Sequence, residues 1–120
     1  MTTPTIDFVM PYGVTVEGDG SWYPKIVGDH PKKVTSAGVS LPAGPCRVAF
    51  SWDGEQSAEL VLVNGDNVKR PARLEAKRGG GPRSAMVTIG AKKGDRVEIN
   101  AKCERGETGT IEVYPTNFDA

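Results

Sequence analysis

The sequence predicts an all-β chain, an antiparallel β-sandwich built as a single domain over residues 1–120. Three observations carry that expectation. Apolar and polar residues alternate with period two in at least six segments, the signature of half-buried strands. The 15 glycines and 9 prolines fall between those segments as punctuation, which is how sandwiches and barrels divide their strands. Good helix formers gather only in Ala72–Arg78, about two turns and too short to stand as a helix alone. Less than roughly a tenth of the chain is therefore expected to be helical, against the usual third.

Taken in order, Ile6, Phe8 and Met10 alternate with Thr5, Asp7 and Val9, and Tyr12, Val14 and Val16 continue the pattern after Pro11. Gly18-Asp19-Gly20 is a turn signal. Trp22 to Val27 follows, where Pro24 confines the strand to a sheet edge because proline has no N–H for a ladder. Asp29–Lys33 is polar, contains Pro31 and reads as loop. The clearest strand is Cys46–Trp52: Cys46, Val48, Phe50 and Trp52 share one face, and Arg47, Ala49 and Ser51 the other. Asp53-Gly54 closes it. Ala58–Val63 is apolar enough to be buried on both faces, and Asn64-Gly65-Asp66 makes a tight turn. Ala72–Arg78 is a short strand or an irregular crossing, and Ser84–Ile89 a further strand. Arg96–Cys103 places Val97, Ile99, Ala101 and Cys103 inward, with Arg96, Glu98, Asn100 and Lys102 outward. Gly109–Tyr114 closes the series with Ile111 and Val113 inward.

At 120 residues the chain buries roughly two-thirds of its unfolded surface, enough for a core without obligatory metals or disulfides. Lys and Arg, 15 together, balance 15 Asp and Glu, which argues against specific nucleic-acid binding, since that normally needs a basic excess. No apolar run approaches the roughly 18 residues that cross a membrane as a helix. The opening Met1-Thr-Thr-Pro-Thr-Ile-Asp lacks the basic and apolar regions of a secretory signal, so synthesis in a cytoplasm is expected.

No catalytic set is legible. His30 is the sole histidine. A relay through it would take Asp29 or Asp19 as orienter and Ser21 or Ser36 as nucleophile, yet no serine sits in a G-x-S-x-G elbow; a solvated loop histidine is the expected role. One histidine and two distant cysteines make no metal-ligand pair, and neither metal nor cofactor is expected. Glu17-Gly18-Asp19 and Asn64-Gly65-Asp66-Asn67 come nearest to a calcium loop, but turns use the same residues for backbone reasons. The stretch Lys69–Arg83 sets Lys69, Arg70, Arg73, Lys77, Arg78 and Arg83 against Glu75 and includes Gly79-Gly80-Gly81. It invites a phosphate-cradle reading, although it lacks the Lys-Ser/Thr pair of a Walker loop. A solvated loop and a contact for an acidic surface, through Lys77, Arg78 and Arg83, are its other readings. Trp22 and Tyr23 adjoin, so on a strand they point to opposite faces, one for packing and one for an interface or a sugar ring. Trp52, in phase with Phe50, belongs to the core.

Four pieces resemble, in order, the jelly-roll head of the complement C1q and tumour-necrosis-factor-like superfamily, including its phage and bacterial spike versions. They are Leu41-Pro42-Ala43-Gly44 leading into Cys46–Phe50, then Leu60–Gly65, then Ile89 through Lys93-Gly94-Asp95-Arg96-Val97, and last Gly109–Tyr114. The resemblance covers residues 41–114 and leaves residues 1–36 as an arm or added strands. It implies a jelly-roll sandwich and a homo-oligomer, with a trimer favoured. It implies further a structural or attachment protein of a virus-like particle, a tailed-phage capsid decoration or tail accessory protein located in the virion and bound to a larger protein assembly. It also implies that Cys46–Trp52 lies beside Arg96–Cys103, pairing Trp52 with Val97, Phe50 with Ile99, Val48 with Ala101 and Cys46 with Cys103. That register would bring the two cysteines within reach of a disulfide, although a reducing cytoplasm would leave two packed thiols, the favoured state. The fold alternative is an immunoglobulin-like sandwich, since Cys46 and Cys103 have a suitable spacing. The functional alternative is a carbohydrate-binding module using Trp22 or a tyrosine.

Overall fold

A computed structural model describes residues 12–22, 24–27 and 38–115, and among these the chain is strand and turn with no helix. The strands are β1 (Tyr12–Glu17), β2 (Lys25–Val27), β3 (Val39–Ser40), β4 (Gly44–Trp52), β5 (Ala58–Asn64), β6 (Asn67–Leu74), β7 (Arg83–Ala91), β8 (Arg96–Ala101) and β9 (Thr108–Pro115). Two antiparallel sheets face each other, with orders β2-β1-β9-β4-β7 and β3-β8-β5-β6. The readings placed on residues 1–11, Tyr23, residues 28–37 (His30 and Ser36 among them) and residues 116–120 lie outside the described residues.

The pairing has a simple logic once the edge strand β2 is set aside. Of the eight strands left, the first pairs with the last (β1 with β9), the second with the seventh (β3 with β8), the third with the sixth (β4 with β7) and the fourth with the fifth (β5 with β6). That is one long antiparallel ribbon folded at the β5–β6 hairpin and wrapped into a sandwich. The wrap is closed by β4 against β9 and β5 against β8. This is the jelly-roll topology, and it excludes the immunoglobulin-like alternative, whose ABED and CFG sheets follow a different order.

Period-two burial explains the sandwich. On β4, Cys46, Val48, Phe50 and Trp52 are buried while Pro45 and Arg47 are exposed. Val14, Val16, Ile89, Ile111 and Val113 join them from the same sheet; Val39, Leu60, Leu74, Val97, Ile99 and Ala101 face them from the other. Each Val, Leu, Ile or Phe among them contributes roughly 1.5–3 kcal/mol on burial. Gly109 is opposite Trp52, and a Cβ there would stand 2.7 Å from the indole Cε3 and 2.4 Å from the Ser51 carbonyl oxygen. The indole therefore lies where only a glycine leaves room.

The hairpin at the fold of the ribbon has Gly65 and Asp66 between the paired Asn64 and Asn67. Gly65 takes φ of 57° and no non-glycine residue described has positive φ; glycine at the first central position is the type II′ solution that matches strand twist. Farther along, the β5–β6 register shifts between Leu60 and Leu62, a bulge that accommodates Pro71 on an edge strand. Ala72–Leu74 ends β6, and residues 75–78 leave the sheet. At the same end as the hairpin, the Asp95 carboxylate accepts from Asn64 Nδ2 at 2.8 Å and from the Lys92 N–H at 2.9 Å, and its carbonyl accepts from the Leu41 N–H at 2.8 Å. Three turns, β3–β4, β5–β6 and β7–β8, are thus tied together by one buried acid.

Two expectations need correction. Cys46 and Cys103 are not neighbours, and both are free thiols. Cys46 stands opposite Ile89 and Pro115 in the five-stranded sheet, whereas β8 belongs to the other sheet and pairs with β3 and β5. The eight side chains assigned to the shared register are all buried, but β4 and β8 run in the same direction in facing sheets, so Cys46 lies toward the 41–43 turn at one end of the core and Cys103 toward the 102–107 loop at the other. Burial decides which face a strand turns inward and is silent on which strand lies beside it. The second correction is Glu98. It does project from the outer face, opposite Val61, yet it is 7% exposed. Val61 and Val63 on the same outer face are buried too, so β5 is buried on both sides as its composition predicts.

Candidate functional site

Strand direction gathers four loops at one end of the sandwich: residues 18–22, 53–57, 75–82 and 102–107. The start of β1, the end of β9 and the turns at 41–43, 65–66 and 92–95 occupy the opposite end. Hydrogen bonds place the four loops in a row. The first meets the fourth through Gly18 N–H to the Glu107 carbonyl (2.7 Å), Gly20 N–H to Cys103 (2.9 Å), Ala101 N–H to Trp22 (3.0 Å) and Cys103 N–H to Ser21 (3.1 Å). The Cys103 thiol also donates to the Ser21 carbonyl at 2.8 Å. The Glu107 carboxylate then bridges onward, accepting from the Glu104 N–H at 2.7 Å and the Glu55 N–H at 3.2 Å. Asp53 accepts from the Thr108 N–H and hydroxyl at 2.7 and 3.0 Å. Asp19 accepts from the Ser21 N–H at 2.9 Å, and hydrogen bonding from Ser21 holds its carboxyl below the usual 3.8.

The glycine-rich loop completes the row. Arg83 donates from Nε to Gly81 at 3.2 Å, from Nη1 to the Glu75 and Gln56 carbonyls and from Nη2 to the Gly54 carbonyl. It is therefore an internal pin between two loops and not an external contact. The N–H groups of the three glycines are also committed: Gly79 to Glu55 Oε1 at 2.7 Å, Gly80 to the Lys77 carbonyl at 2.9 Å and Gly81 to the Asp53 carbonyl at 2.8 Å. A phosphate cradle needs those donors turned outward, so the phosphate reading of Gly79-Gly80-Gly81 is overturned. Arg70 pairs with Glu59 at 3.0 Å and Arg73 with Glu75 at 3.5 Å, which leaves Lys77 and Arg78 as the exposed cations of the loop.

Trp22 is 60% exposed and Trp52 fully buried. Trp22 occupies one margin of the row and Lys77-Arg78 the other, with the Glu104–Glu107 and Glu55 loops between, so these residues do not form one site. Asp53, Glu55 and Glu107 organise this end and were not legible as such, since Asp53-Gly54 reads only as a turn. Concavities are shallow. One of about 250 Å³ lies between the sheets beside β6 and β7, lined by Leu62, Asn67, Lys69, Gly90 and Asp95 among others. Another of about 180 Å³ lies over the hydroxyl row Thr15, Thr110 and Ser51. Both fall below the roughly 300–1,000 Å³ of small-molecule sites. Among the described residues no three His, Cys, Asp or Glu side chains are grouped to hold a metal.

No protein family and no curated protein matches the chain in sequence. In fold it is similar to the PRD1 vertex protein P5, at 12% identity and a TM-score of 0.55, over 92% of this chain and 99% of that one.

Proposed function

We propose that this chain is a non-enzymatic structural or attachment protein of a virion, a capsid decoration or tail accessory protein of a phage particle that assembles with copies of itself and with a larger protein shell. The single observation that carries this reading is the jelly-roll ribbon shared, over nearly its whole length, with a vertex protein. Fold likeness alone is an analogy, and the surface chemistry adds to it. The loop end is stapled by backbone and carboxylate hydrogen bonds, a rigid surface for protein contact. The start of β1 and the end of β9 lie at the end opposite the loops, so a tether to a particle at that end would project the loops and Trp22 outward.

Quantitative mass spectrometry of purified parent particles tests the reading. The chain should be present at a fixed copy number per particle and should rebind, saturably, to particles stripped of it. A chain confined to the soluble host fraction, with no affinity for the particle, would sink the proposal. Exposure of Trp22 favours one second reading, a glycan contact at the loop end. A glycan array that lights up for the native chain and fails for Trp22→Ala would establish it.

A further inference from the structure

Among the described residues four strands border the two sheets, and they differ sharply in how their edges are guarded. β2 has three residues and β3 two, so neither offers a length of open ladder. β6 carries Lys69, Arg70, Pro71 and Arg73 and is interrupted by the bulge, the devices by which edges resist adding another strand. β7 carries a charge only at its first residue, Arg83, and has no proline and no bulge. Its nine residues hold an unbroken register on β4, and Ser84–Ala91 contains no charge and no proline. Its inward side chains Ala85 and Val87 are only partly buried, and its outward Met86 is 60% exposed. A long, flat, uncharged edge is a template for strand pairing.

We infer that β7 is the self-association edge of this protein, pairing antiparallel with β7 of a second copy about a twofold axis. The inference deepens the assembly reading above by naming one contact. A second copy is the occupant that the charge pattern fits. Because Ser84–Ala91 is neutral, the pair opposes no like charges along its length, whereas β6 against β6 would crowd Lys69, Arg70 and Arg73 of both copies along one seam. The flanking Arg83 is drawn inward by its carbonyl partners. An axis through Val87, the middle residue, sets Val87 against Val87 and Ala85 against Ile89 on the inner face, continuing the core across the junction. On the outer face it sets Met86 against Thr88 and Ser84 against Gly90. The two Met86 side chains then sit diagonally, within roughly 7–8 Å between backbones and in reach of each other. The paired stretch, the nine residues of β7, spans about 31 Å at 3.4 Å per residue and joins two five-stranded sheets into one of ten.

Sedimentation velocity of the full chain across a hundredfold range of concentration tests this, beside the double variant Met86→Lys/Thr88→Lys. Both side chains are exposed, so the variant should fold and melt as the native chain does. The native chain should sediment at twice the chain mass and the variant at the chain mass; Val68→Lys on β6, a comparably exposed position, should remain dimeric. Amide exchange of the native chain supplies a readout independent of any variant: β7 protection should rise with concentration while β6 protection stays constant. A monomer throughout, a trimer, or a dimer indifferent to the two lysines overturns the β7 contact. Particle binding, measured separately, still decides the assembly reading in each of those cases.

Discussion

Arg83 offers the most demanding test of how the loop end is built. Replacing it by alanine removes a guanidinium that donates to the carbonyls of Gly54, Gln56, Glu75 and Gly81. Hydrogen bonds from charged groups are worth about 1.5–3 kcal/mol each, but such bonds are not additive. The loops are also partly exposed, so water can recover some of the stranded carbonyls. We therefore expect a total loss of about 2–3 kcal/mol. For a chain of this length that lowers the melting temperature by roughly 6–15 °C. Arg83→Lys keeps the charge but one nitrogen cannot serve four carbonyls on two loops, so it should restore less than half. Calorimetric melting with urea titration gives the magnitude, and amide exchange gives the location, with Gly79 to Gly81 and Lys77 losing protection before the strands do. An Arg83→Ala protein within about 0.5 kcal/mol of native, or one that loosens first at the turn end, would refute the idea that this side chain pins two loops.

Further outcomes follow from other parts of the molecule. Both thiols are 1% exposed and unbridged, so a thiol reagent should label neither cysteine in the native protein and both after unfolding. Air oxidation should leave the intact mass of the monomer unchanged. Asp95→Ala strands the Lys92 N–H and Asn64 amide and should cost about 2–3 kcal/mol, measured by denaturant unfolding, whereas Asp95→Asn should cost about half as much. Gly109→Ala drives a methyl into Trp52 and Ser51 and should cost about 1–3 kcal/mol, with a shift in indole fluorescence reporting the displaced ring. The Tyr114 hydroxyl donates to the Glu112 carboxylate, and that bond holds its titration above the ordinary 10. Because the neutral phenol is the favoured form, this small stabilisation is present below pH 10 and is lost as pH rises through the raised value. Ultraviolet titration of Glu112→Gln should show one tyrosine returning toward 10.

Much of this architecture could be read from residue order, and the limit of that reading is physical. Alternation in Cys46–Trp52 and Arg96–Ala101 marks strands and their inward faces, because burial selects one face. Asn64-Gly65-Asp66 marks the hairpin, because glycine alone takes positive φ there without strain. What period two cannot carry is adjacency: Cys46 and Cys103 have the pattern of partners and stand in different sheets. The basic loop shows the same limit. Arg83 looks like a free cation among others, and its role depends on carbonyls from residues 54 and 56, whose backbone conformation no side-chain pattern announces. Asp53 and Glu107 were hidden for the same reason, as carboxylates whose partners are backbone N–H groups of distant loops.

The wrapped ribbon also bears on how the molecule comes to exist. β9, the last strand in chain order, lies between β1 and β4 in the middle of its sheet. Until it is synthesised, β1 and β4 each lack a neighbour and Val14, Val48 and Phe50 face an incomplete layer. Folding of this sandwich therefore waits until Thr108–Pro115 has been made, and non-local pairing of this kind is slow, on the order of milliseconds to seconds. During that interval β4 is an apolar strand with an open side, the species most prone to pair with a stranger. A ribosome stalled before Thr108 should display a chain that a protease cuts throughout, and extension until Thr108–Pro115 clears the ribosome should confer resistance in a single step.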